Sequence, residues 1–258
     1  MKRGIWDRET VALMLIAALM PVALAWLWFG GTVAIGRLLI AMALAGVWHI
    51  VFMLVRAQPP SFAVVITALG VAMFAPENLS FIQLLLGISF GTVMAELVFG
   101  GWGRNVLSAA TVTLAFLGFG FPAAPWPDLL LPIAWAAIPA ALLGVVFGLM
   151  PIRVMLGAAA VLLLAWFMGI GTQPVYIAAV LVLVILVADP VSSASTSLGG
   201  WLNGLSYSGF VVLFAMHWPS AAPVQLCVSA ALLATLAAPV FDDIAIAFWL
   251  ARRKRRHG

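Results

Sequence analysis

Long apolar runs, each closed by glycine, proline or a short polar cluster, organise this chain from end to end. Runs at roughly 10–29, 33–55, 62–76, 80–100, 105–121, 129–150, 152–170, 174–188, 205–217 and 222–241 predict about ten helical membrane spans. The breaks fall where backbone chemistry favours turns: Gly30-Gly31, Pro59-Pro60, Pro76-Glu77-Asn78, Pro122 to Pro127, Gly171 to Pro174 and His217-Trp218-Pro219. Three runs are short. Those at 62–76 and 174–188 reach only about 22 Å as helix, against a hydrocarbon core of about 30 Å, and 206–217 is shorter still. Such pieces carry irregular backbone at their ends, which a membrane tolerates only where protein or a cavity covers it.

The spacing predicts an all-α integral membrane protein and one transmembrane domain over 1–258. Its first half covers about 1–128 and its second about 129–250, with a basic tail at 251–258. A weak echo accompanies the halves. Gly100-Gly101-Trp102 precedes Asn105 as Gly199-Gly200-Trp201 precedes Asn203, each after an apolar stretch with an acid near its end, Glu96 or Asp189. An odd number of spans between them would make an inverted repeat; the count above puts both on one side.

Charge orients the spans. Ten spans with a cytoplasmic start put Lys2, Arg3, Arg8, Arg56, Arg104, Arg153 and the tail inside, eleven of the twelve basic residues, with Arg37 the exception. The outer loops carry Glu77 and Asp128, so the positive-inside bias favours both termini in the cytoplasm of a bacterial inner (plasma) membrane. The first run lacks a small-residue cleavage site in a polar segment after it and is read as a retained span.

Composition closes off other classes. Apolar residues make up 66% and charged residues 8%, with a mean hydropathy of +1.21, where soluble domains carry about a quarter charged residues. The net charge of +4 does not imply nucleic acid, because five basic residues stand together at 252–256, beside a span, where they anchor topology. Cys227 is the single cysteine, so no disulfide or cysteine-ligated metal forms within the chain, and no metal site is expected.

Charges inside spans are the informative residues, since each costs at least about 2.5–3.5 kcal/mol at mid-bilayer. Glu96 fits either an interfacial carboxylate or an ion or proton relay. Asp189 opens Asp189-Pro190-Val191-Ser192-Ser193-Ala194-Ser195, a polar cavity lining or a plain loop, with Pro190 forcing extended backbone at Asp189. In Gly100-Gly101-Trp102-Gly103-Arg104-Asn105, the glycines allow close approach to a flat ligand and Arg104 offers forked donors; a simple anchored turn is the alternative. His49 and His217 are read as structural.

Several of these strings carry a family resemblance. They are Trp48-His49-Ile50-Val51-Phe52, Leu86-Gly87-Ile88-Ser89-Phe90-Gly91-Thr92, Glu96-Leu97-Val98-Phe99-Gly100-Gly101-Trp102-Gly103-Arg104-Asn105, Ala188-Asp189-Pro190-Val191-Ser192-Ser193-Ala194-Ser195 and Ala237-Ala238-Pro239-Val240-Phe241-Asp242. In this order, over about 45–250, they resemble the family of the B subunit of sodium-translocating NADH:quinone oxidoreductase and the D subunit of the Rnf complex. The resemblance implies a urea-transporter-like fold of two inverted halves and a membrane subunit of a flavin- and quinone-dependent electron-transport system, possible ion coupling and other electron-transfer subunits as partners. It implies flavin or quinone contacts at Gly100, Gly101, Gly103, Arg104, Asn105, Asp189, Pro190, Ser192, Ser193 and Ser195, with Glu96 and Asp189 on an ion or proton pathway. The departures mark a shortened member, without the family's long N-terminal extension. The family attaches FMN to a threonine in an outer loop after the fifth span, yet here Pro122-Ala123-Ala124-Pro125-Trp126-Pro127-Asp128 has no hydroxyl. Thr111 follows a similar string but belongs to a span near its inner end. A non-covalent flavin, riboflavin or FMN, is therefore expected. The other class left open is a small-solute or ion transporter on the same scaffold, and the oligomeric state is open too.

Overall fold

Glycine makes the first long turn of the molecule. The computed structural model describes residues 7–56 and 61–257, with side chains except at positions 56 and 254–257. Lys2, Arg3 and the expected break at Pro59-Pro60 lie outside the described residues. Helix α1, Arg8–Arg56, is 49 residues long and holds two arms joined at Gly31, whose φ of 55° and ψ of −142° suit glycine alone. The order continues with α2 (Ala63–Phe74), α3 (Phe81–Phe90), a π-helical segment (Gly91–Leu97) and α4 (Ala109–Gly120). After an irregular loop come α5 (Leu131–Val146), α6 (Ile152–Phe167), α7 (Gln173–Val182) and a second π-helical segment (Leu183–Val187). Helices α8 (Ser197–His217) and α9 (Pro223–His257) complete the chain. No strand occurs among the described residues.

Among the described residues three stretches, Arg8–Val55, Ser197–His217 and Pro223–Arg253, are long and apolar enough to cross a membrane. The outer surface matches that reading. Trp28 is 84% exposed and Phe167 83%, a surface that lipid, unlike water, solvates. The interior uses small residues, among them Ala12, Ala18, Ala137, Ala158 and Ala230, which let helix backbones approach closely.

The short helices are the most enclosed. In α2 every residue from Thr67 to Phe74 is buried, and in the second π-helical segment all five residues are. They meet where a Cβ on Gly70 would stand 3.2 Å from Leu186 and 3.1 Å from Ala110 of α4. Their incomplete length is thus covered by protein, the condition under which a membrane accepts it.

Two expectations need correction. The run at 205–217 is not a short span: α8 begins eight residues earlier, at Ser197, with Thr196 as its N-cap and its Oγ1 accepting from the Gly199 N–H at 3.0 Å. Glycine, serine and asparagine lower the hydropathy of those first turns, yet Gly200 and Gly204 among them pack closely on Arg153, Val154 and Ala158 of α6. The Gly-Gly-Trp echo also fails. Gly100 and Gly101 have φ of 105° and 89° in a turn, whereas Gly199 and Gly200 lie in the first helical turn of α8.

Opposite the Gly100 turn, Arg37 finds its place. Its guanidinium donates to the Ala75 carbonyl and lies 3.6 Å from the Glu77 carboxylate, tying the second arm of α1 to the end of α2. Ser80 then starts α3 with a capping box, accepting from Gln83 N–H and donating its own N–H to Gln83 Oε1 at 2.8 Å. Caps of this kind contribute about 1 kcal/mol.

Candidate functional site

The π-helical turn before the glycines sets the depth of Glu96. Val98 N–H donates to Val93 and Gly101 N–H to Glu96, five residues back in each case, so the turn is wider than α. Gly91 permits it, since a Cβ there would overlap Thr113 on α4. Glu96 is 1% exposed. Its Oε1 stands 3.5 Å from Nε2 of His49, and neither atom meets a hydrogen-bond partner among the described residues. Buried polar atoms are nearly always partnered, and the exceptions point to water, an ion or function.

Trp102 joins the two candidate segments. Its main chain reaches the Glu96 carboxylate, and its indole reaches that of Asp189. Its carbonyl accepts from Arg8 Nη1 at 3.3 Å, and Arg8 pairs with Glu9 at 3.1 Å. Glu9 in turn accepts from the Phe62 N–H at the entry to α2, at 2.8 Å. The first turn of α1, the entry to α2, the glycine turn and the exit from α7 thus share one end of the molecule.

The glycine turn is built by backbone. Gly100, Gly101 and Gly103 all have φ near +90° to +105°, a region that side chains avoid. Asn105 is buried and serves as a brace, its Oδ1 accepting from Gly103 N–H at 3.0 Å and its Nδ2 donating to the Leu107 carbonyl at 2.8 Å. Arg104 is exposed and folds over Gly100.

The other segment also spends its polar groups internally. Asp189 is buried and accepts from Ser192 Oγ at 2.9 Å, Ser192 N–H at 3.3 Å and Val191 N–H at 3.4 Å. Ser195 donates its N–H and Oγ to Oδ2 of Asp242, both at 2.9 Å. Thr196 donates its N–H at 2.9 Å and its Oγ1 at 2.6 Å to Oδ1 of the same carboxylate. Asp242 of α9 therefore caps α8 from outside. Pro190 and Ser193 are half-buried, and Thr111 is fully buried in the first turn of α4 with Oγ1 unpartnered among the described residues.

Four residues outside the expected set belong to this place: His49, Trp102, Arg8 and Asp242. His49 and Glu96 were the only histidine and carboxylate standing within long apolar runs of the first half. That coincidence is the signal that could have paired them. Asn203, 0% exposed with both amide atoms unpartnered among the described residues, carried no comparable signal.

Residues 6–130, just under half of the chain and including His49, Glu96 and the glycine turn, match the model of the NQR2, RnfD, RnfE family. Over that first half the chain is similar to that family. Relatives of this family extend the likeness into the second half. The B subunit of Na(+)-translocating NADH-quinone reductase from Klebsiella pneumoniae is 27% identical over 82% of this chain and 66% of its own length. The protein of the same description from Yersinia pestis is 27% identical over 84% of this chain and 67% of its own. One from Neisseria meningitidis reaches 40% over 78 residues, 30% of this chain and 19% of its own. The chain thus spans about two thirds of the length of the first two relatives.

Proposed function

We propose that this chain is a membrane subunit of a bacterial electron-transport complex that reduces quinone through flavin, acting with other electron-transfer subunits. The observation that carries the reading is the Trp102 junction, where the glycine turn, Glu96 and Asp189 converge at one end of the helices. It is supported by the family and by the description its relatives share.

The residues fit a flat, polar-edged ring in part. Gly100, Gly101 and Gly103 present backbone without side chains, and Arg104 has forked donors free to meet a ring carbonyl. Asn105, Asp189, Ser192 and Ser195 hold the walls, since their polar atoms already bind the protein; Pro190 and Ser193 line the approach. The flavin supplies the redox chemistry, and the chain supplies position and electrostatics. Glu96 with His49 forms a buried acid–base pair suited to passing a proton or meeting a cation. We read the architecture as ten spans in two halves, 1–128 and 129–250, with α2 and the α7 helix as matching short, enclosed members.

Any flavin is held non-covalently, because the 122–128 loop lacks a hydroxyl and Thr111 is enclosed by protein. Acid extraction of the purified protein is expected to release a yellow flavin, and the chain coexpressed with a flavin transferase is expected to keep its unmodified mass. A gain of one FMN by intact-mass spectrometry would refute the non-covalent assignment. A colourless extract from folded protein would instead favour a transporter. That reading draws on cavities of about 360 and 240 Å³ that share Arg37 and Glu77 at the opposite end.

Topology has its own test. Both termini lie in the cytoplasm on this reading, so a reporter active only in the periplasm, fused after Gly258, is expected to stay silent. Activity there would overturn the orientation.

A further inference from the structure

The last third of α9 carries a run of exposed side chains where it passes the start of α8. At 1.5 Å per residue its 35 residues extend about 52 Å, well past a hydrocarbon core of about 30 Å. The level is marked by Asp242, which caps α8. Past that point Ile244, Ile246, Phe248, Trp249 and Leu250 are each between 45% and 65% exposed, forming an apolar collar. The collar ends at the run Arg252-Arg253-Lys254-Arg255-Arg256.

Between this collar and the start of α8 lies a cavity of about 630 Å³. Leu198, Ile246, Phe248 and Trp249 give it apolar walls, while Ser197 and Arg252 stand at its polar rim. The Arg253 guanidinium lies 5.3 Å from the centre of the Trp249 ring, a cation–π contact beside the rim. Asp242 stands ten positions before Arg252 on α9, about 15 Å by helix rise and too far to pair with it. Asp243, the next acid, sits about 100° around the helix from it.

We propose that this cavity is a binding site for an anionic phospholipid. Its phosphate pairs with Arg252 and Arg253, the Ser197 hydroxyl donates to a phosphate or ester oxygen, and one acyl chain lies along Ile246, Phe248 and Trp249. Charge complementarity selects the occupant: five basic residues directly beside an exposed apolar collar match a lipid whose head is negative and whose tail is apolar. A zwitterionic lipid offers the tail without the net charge, and free phosphate offers the charge without the tail.

The test uses the full-length chain in dodecyl maltoside, titrated with phosphatidylglycerol or with phosphatidylcholine of the same acyl chains. Phosphatidylglycerol is expected to raise the melting temperature by several degrees and to remain bound in native mass spectrometry, while phosphatidylcholine and inorganic phosphate do neither. In an Arg252→Gln/Arg253→Gln variant, apparent affinity for phosphatidylglycerol is expected to fall about 30-fold, with melting in phosphatidylcholine unchanged. Bromine-labelled phosphatidylglycerol is expected to quench tryptophan emission less in Trp249→Phe than in the parent chain. The proposal fails if both lipids stabilise equally, if the double variant keeps its preference, if phosphate alone reproduces the shift, or if Trp249→Phe leaves quenching unaltered. Retention of a partner protein at Arg252 and Arg253 in place of lipid overturns it as well. None of these readouts depends on flavin or electron transfer.

Discussion

A Gly204→Val variant is expected to fail to give monodisperse, folded protein. Gly200 and Gly204 stand one turn apart on the face of α8 that meets α6. A Cβ at Gly204 would overlap the Val154 carbonyl, and one at Gly157 would come within 2.9 Å of the Trp201 carbonyl. These obstacles are backbone, so no rotamer change relieves them. Between membrane helices there is little hydrophobic driving force; close packing and hydrogen bonds such as Ser208 Oγ to the Ala158 carbonyl, 2.9 Å, hold the pair. Overpacking an ordinary core costs about 1–3 kcal/mol. Here separating the helices is expected to cost more than about 3 kcal/mol, a large share of a typical stability of about 5–15 kcal/mol. Size-exclusion chromatography in detergent checks this, with Gly209→Ala as control because nothing lies within 4 Å of that position. A Gly204→Val variant that elutes and melts like the parent would show that the seam is not tight.

The second large effect belongs to Asp242→Ala. One carboxylate accepts four hydrogen bonds of 2.6–2.9 Å from Ser195 and Thr196. Hydrogen bonds to a charged group contribute about 1.5–3 kcal/mol each when buried. Half-exposed and acting as one unit, this set is expected to contribute about 2–4 kcal/mol in total. Hydrogen exchange is expected to accelerate at the amides of Ser195, Thr196 and Gly199, with a lower melting temperature, while Asp243→Ala leaves both unchanged. Asp242→Asn is expected to fall between, since its amide keeps one accepting oxygen. Slow exchange at Ser195 and Thr196 in Asp242→Ala would mean that α8 caps itself.

These two sites also mark where a sequence is readable. The apolar runs and their glycine and proline breaks are visible because lipid imposes the same demand on every span. Enclosure of the short runs followed from their length alone, and α2 with the α7 helix meets it. The start of α8 was missed because Ser197, Gly199, Gly200 and Asn203 look like loop to any hydropathy measure, yet Gly200 and Gly204 are the small residues that bring α8 against α6. The π-helical turns were invisible for another reason. One extra residue per turn leaves hydropathy unchanged and shifts only which side chain faces inward, as at Glu96. His49 and Glu96 stand 47 positions apart in the sequence, and only tertiary packing brings their atoms within 3.5 Å. At the glycine turn the irregular backbone was legible in its three glycines, while the commitment of Asn105, Asp189, Ser192 and Ser195 to internal bonds was not.

The Asp242 clamp also imposes an order on how the protein is made. Thr196 leaves the ribosome 46 residues before the carboxylate that will hold it. At about 5–20 residues per second, that interval lasts about 2–9 seconds. Throughout it, the amides and hydroxyls of Ser195 and Thr196 need another acceptor, so the entry to α8 must stay in contact with water or with the insertion machinery. A chain that stalls before α9 therefore carries an unfinished helix end, a mark by which quality control could distinguish it from the completed protein.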